Sequence, residues 1–192
     1  MTEYKYLGIV FNKNGSFCSA KKYIARQGTK ALYSLLKKMK RLQLPIDMQF
    51  DLFNKTVKPV LLYGCEVWGF GNLDIIERVH LKFLKYILNV RVSTPNCIIY
   101  GETGTMPISI DIHIRHLTYW AKLIVSGPTL ACNMYSVMRT LYTDCRPNTA
   151  KRYFGWIESV RKILIDCGHI AIWHTHIFPN TKWLKLAVSR KL

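Results

Sequence analysis

The apolar and polar positions of this chain change period several times, and each change suggests an element. Residues 4–11, Tyr-Lys-Tyr-Leu-Gly-Ile-Val-Phe, read as one strand-like run. Asn14-Gly15 follows as a turn signal, and Phe17 and Cys18 could begin a short return strand, which predicts an N-terminal β-hairpin. From about Ser19 to Leu44 the period becomes helical, with Ser19 as the expected N-cap. Ile24, Leu32, Leu35, Leu36, Met39 and Leu42 form one stripe when wound at about 100° per residue. Pro45 stops this helix. A second is expected over 46–57 with Phe50, Phe53 and Val57 inward, and Pro59 should kink or restart it. A third spans about 73–90, with Ile76, Val79, Phe83, Leu84, Ile87 and Leu88 as a broad apolar face. Arg78, Lys82, Lys85 and Asn89 form its narrow polar ridge. Residues 93–107 suggest a short helix that starts near Ser93 or Thr94 and ends at Gly104. Further helices are expected at about 108–125, 129–142 and 150–167. His169–Asn180 fits strand or helix equally. The predicted fold is mainly α: a helical bundle preceded by a short β-hairpin.

Charge sharpens this picture. The chain has 192 residues, with 28 Lys and Arg against 11 Asp and Glu, for a net charge of +17. Such an excess favours a polyanionic partner, nucleic acid first and an anionic membrane surface second. It is also uneven. Residues 1–44 hold ten basic residues and one acid, which is +9 of the total. On the first helix Lys22, Arg26, Lys30, Lys37, Lys40 and Arg41 fall opposite the apolar stripe, and no acid interrupts them. The helix forgoes the Glu–Lys pairs that help many wet faces, as expected of a surface that lies along phosphates.

Catalytic and metal chemistry find little support. No two acids lie within two residues of each other, so paired carboxylates for two-metal phosphoryl transfer are missing. Glu66 reads as a cap or ion-pair member, and His113 and His116 read as surface or cap residues. Cys167, His169, His174 and His176 are each competent zinc ligands, but their spacing matches no standard structural site, and no metal is assigned. Cys18, Cys65, Cys97, Cys132, Cys145 and Cys167 are widely spaced with no Cys-x-x-Cys pair. They read as reduced thiols of an intracellular protein, nuclear or cytoplasmic. No apolar run approaches the ~20 residues of a membrane span.

In order, YKYLGIVF, NGSF, the basic helix, LFNKTVKPVLLYGCEVWGFGN, IERVHLKFLKYIL, TPNCIIYGETGTMPISIDI and RHLTYW resemble the carboxy-terminal part of a non-LTR (LINE-type) retrotransposon reverse transcriptase. The resemblance covers about residues 4–125. It implies a palm-end hairpin over residues 1–18, a thumb-like and connecting helical region over 19–125, and a variable helical tail over 126–192. It implies that Tyr6, Leu7 and Gly8 support a primer strand and that the six helix cations face a template–primer duplex. The family's catalytic aspartates, and the Mg2+ they bind, belong to a palm segment upstream of this motif, so no cofactor is expected on this chain. The expected role is therefore a non-catalytic, nucleic-acid-binding fragment of an RNA-directed DNA polymerase. Three alternatives stand beside it. One is a full polymerase function, with the palm supplied by a second polypeptide. Another is a protein-interaction module that uses the aromatic segment from Tyr63 to Phe70 and the tryptophans. The third is a membrane-surface role for the basic helix.

Overall fold

A computed structural model describes residues 3–125, 129–144 and 154–189. Cys145 and the start of the helix expected from residue 150 lie outside the described residues. The fold is mainly helical behind an N-terminal hairpin, and it divides into two compact units. One comprises residues 1–64 and 72–109; the other comprises 65–71 and 110–192.

In the first unit, β1 (Glu3–Tyr6) pairs antiparallel with β2 (Ile9–Asn12), with Tyr6 opposite Ile9 and Glu3 opposite Asn12. The reversal is therefore Leu7-Gly8, inside the run read above as a single strand. Both turn residues have positive φ, 45° and 83°. That is the requirement of the two-residue turn whose twist matches a hairpin. Asn14-Gly15 does turn the chain, with Gly15 N–H donating to the Asn12 carbonyl at 2.9 Å, but it leads into a helix and not into a return strand.

That helix, α1 (Cys18–Leu42), is capped by Phe17 without a side-chain hydrogen bond. Ser19, the expected cap, instead donates its hydroxyl to Glu3 at 2.5 Å and ties hairpin to helix. Ile24, Leu32, Leu35 and Met39 are buried as the stripe predicts. Leu42 is not: it is exposed, because the chain reverses at Gln43 (φ 46°) just after it. Across the core lie α2 (Ile46–Thr56), α3 (Lys58–Leu61), and, after α4 (Cys65–Trp68) of the other unit, α5 (Asp74–Ile87) and α6 (Asn96–Thr103). Pro59 sits in the first turn of α3, where its missing N–H costs nothing. Gly104 ends α6 in the left-handed region. Phe53 and Phe83 stack at 4.1 Å in the centre, and His80 also stacks with Phe53 at 5.5 Å. Gly28 lets α1 approach closely: a Cβ there would fall 2.2 Å from Leu61 Cδ2.

The second unit contains α4, most of α7 (Ile108–Val125), α8 (Leu130–Asp144), α9 (Gly155–Asp166), α10 (Ile170–Thr175) and α11 (Thr181–Ser189). The His169–Asn180 stretch is thus one short helix followed by irregular chain. Its core gathers Leu117, Trp120, Tyr135, Ile157, Val160, Leu164, Trp173 and Leu184. Trp120 donates its indole N–H to the Tyr135 hydroxyl at 2.9 Å.

Candidate nucleic-acid interface

The face of α1 turned away from the core carries the charge. Lys22, Arg26, Lys30, Lys37, Lys40 and Arg41 are all exposed. At 3.6 residues per turn they occupy an arc of about 100°, and from Lys22 to Arg41 they run about 28 Å along the axis. No acid occurs between Glu3 and Asp47. Lys21 is the exception among the helix bases. It is buried and donates to the Asn72 carbonyl at 3.0 Å, and burial lowers its pKa.

Two tyrosines border this arc, and each holds a cation that the sequence pattern did not assign to it. Lys5, from β1, places its ammonium 4.3 Å over the Tyr23 ring and 2.6 Å from its hydroxyl. The bond from Lys5 pulls the Tyr23 pKa down, against a smaller opposing effect of burial. Arg26 approaches the same ring at 5.9 Å. On the other border Lys82 of α5 lies 4.4 Å over the Tyr33 ring and donates to its hydroxyl. Lys82 belongs to the polar ridge recognised on its own helix. Only the packing of α5 against α1 brings it to the basic face.

The hairpin tip adjoins one end of this face. Gly8 lines a 310 Å³ cleft together with Tyr23, Gln27 and Tyr63. Tyr63 donates to the Leu7 carbonyl at 2.7 Å, and its ring would lie 3.2 Å from a Cβ on Gly8. Tyr6 and Leu7 are exposed, Leu7 at 70%. The structure thus brings Tyr6, Leu7 and Gly8 beside the first turns of α1. Lys37, Lys40 and Arg41 lie at the far end of the same helix.

Other candidates resolve differently. Glu66 pairs with Arg115 at 3.7 Å. His116 is no surface residue: it is fully buried, stacked on Trp156 at 4.9 Å, and makes no hydrogen bond of ordinary geometry. Its period on α7 is that of the core, which its polarity conceals. Burial drives its pKa down to about 4. The neighbouring His113 pushes the same way, and the Trp156 backbone opposes them. His113 is half-buried, and its pKa is also lowered by burial, opposed by Asp166. Cys167 lies in the apolar core of its unit, and His169 packs on Trp183. Arg139, which can only donate, faces His176 Nδ1 at 3.3 Å. The neutral ring therefore carries its proton on Nε2 and gives it to the Tyr135 hydroxyl at 3.1 Å. Among the described residues no three His, Cys, Asp or Glu side chains gather where they could hold a metal ion.

The most engaged carboxylate went unnoticed in the sequence. Glu77 of α5 accepts from the backbone N–H groups of Ile108 and Ser109, both at 3.1 Å, and so caps the start of α7. It also accepts from Tyr100 at 2.5 Å and meets His80 at 3.3 Å. Burial alone would raise its pKa, but these four partners together hold it below the usual range. Its role is structural, and only the 31-residue separation from Ile108 hides it from a linear reading.

Of the expected protein-docking surface, Trp68, Trp120 and Trp173 are buried, while Tyr63, Val67 and Trp183 are exposed. The apolar stripe of α1, apart from Leu42, is covered within its own unit, and no described helix is long and apolar enough to cross a membrane. Compared with protein-family models, with curated proteins and with solved structures, the chain matches none.

Proposed function

We propose that this chain is a non-catalytic nucleic-acid-binding element that holds duplex or RNA–DNA hybrid by its backbone, as the thumb side of a non-LTR reverse transcriptase would hold template–primer. One observation carries the reading: six exposed cations share an acid-free arc of one 25-residue helix, extended by Lys5 and Lys82. The ~28 Å from Lys22 to Arg41 matches about eight base-pair steps of a duplex. Phosphate contacts fix position without reading sequence, and a hybrid is recognised mainly by its shape and backbone. A polymerase that must hold any sequence needs contacts of this kind. Bond-making chemistry is assigned to groups outside this chain, which offers no paired carboxylates.

Fluorescence anisotropy with a labelled 16-base-pair duplex tests the proposal. Six phosphate contacts give log Kobs against log[salt] a slope of about −5. The double variant Arg26→Glu, Lys37→Glu should bind at least tenfold more weakly, with a shallower slope. Binding absent at low salt, or insensitive to salt, removes the proposal.

A further inference from the structure

Beside α5 runs a groove of 870 Å³. One wall carries Arg78, Lys82 and Lys85, which fall within about 60° of each other on the helix. The apolar surface is supplied by Tyr86, Ile46 and Val92, all of them exposed. No acid lines the groove. An exposed aromatic ring and aliphatic groups thus lie in one groove beside a row of cations. The combination is the one that single-stranded nucleic acid uses: phosphates along the cations and base faces against aromatic and apolar groups.

The groove also continues the α1 face. Lys82 lines it and at the same time sits over Tyr33, which borders the basic arc. Arg78 to Lys85 spans about 10 Å of helix, comparable to the rise of three nucleotides along one strand. We propose that this groove is a second nucleic-acid subsite, one that takes a single-stranded segment running off the duplex held by α1. This inference rests on the duplex-binding reading above and extends it to a different substrate form.

The test uses the full 192-residue chain and two probes, a labelled dT12 strand and a labelled blunt 16-base-pair duplex. Arg78→Glu and Tyr86→Ala should each weaken dT12 binding about tenfold and change duplex binding less than twofold. Tyr86→Phe, which keeps the ring, should restore dT12 binding. Thermal melts by circular dichroism confirm that the variants fold. The subsite is refuted if Arg78→Glu and Tyr86→Ala leave dT12 binding unchanged, or weaken both probes equally; the groove is then either unused by nucleic acid or merely part of one diffuse charged surface. Arg26→Glu with Lys37→Glu separates the two proposals. If that variant binds duplex as well as the parent does, the α1 reading falls on its own. If neither probe binds the parent chain, both proposals are wrong.

Discussion

Replacing His116 with Phe should remove most of the extra acid sensitivity that this histidine gives the second unit. The buried imidazole has no hydrogen bond of ordinary geometry to compensate its charge, and its pKa falls from 6.5 unfolded to about 4 folded. Between those values the unfolded chain takes up a proton that the folded chain refuses. Stability is therefore complete above about pH 6.5 and is lost as pH falls toward 4. At 1.36 kcal/mol per pKa unit the full loss is about 3 kcal/mol, and between pH 7.5 and pH 4.5 it is about 2 to 3 kcal/mol. Phe keeps the stacking on Trp156 and does not titrate. All five tryptophans lie in residues 65–71 and 110–192, so their fluorescence during urea unfolding reports this unit alone. His113 and His176 are also shifted down and contribute acid sensitivity of the same sign, but parent and variant share that contribution. The informative quantity is thus the difference between the two proteins at each pH. Its expected change is 2 to 3 kcal/mol in favour of the variant as pH drops from 7.5 to 4.5, by the same arithmetic. A difference that stays constant with pH would refute the reasoning, because it would mean that water or a hidden partner solvates the ring.

Two further outcomes test the fold. Glu77→Gln removes the charge that caps α7 and meets His80, and it should destabilise the protein by about 1 to 3 kcal/mol in urea melts at neutral pH. The effect should shrink as the pH falls below the usual carboxylate range and through the lowered pKa of the parent carboxylate; an effect that stays full-sized down to the acid unfolding of the parent would refute the charged-cap assignment. Leu7→Asn places Asn-Gly at the two positive-φ turn positions and should slow amide exchange in β1 and β2, since a left-handed L-residue costs roughly 1 to 2 kcal/mol; faster exchange would refute the turn assignment.

The longer helices of this chain were legible in its sequence because their signals are local, whereas the short α4 and α11 were not expected and the α10 stretch fitted strand or helix equally. Proline and glycine mark the ends of α1, α3 and α6, and the stripe through Ile24, Leu32, Leu35 and Met39 fixes which side of α1 is buried. Once that side is fixed, the exposure of the six cations opposite it follows from helical geometry alone. The hairpin turn was not legible. A β-rich run hides a reversal at Leu7, and the reversal is held by a bond to Tyr63, 56 residues away. Likewise Lys21, Glu77 and His116 look like ordinary polar positions until distant segments bury them. The same dependence on packing brings Lys5 and Lys82 onto the tyrosines that border α1. Periodicity assigns a residue to a side of its own element; what stands opposite that side is decided by chain closure over tens of residues, and that is where this protein's burial costs, its caps and the full extent of its basic face were set.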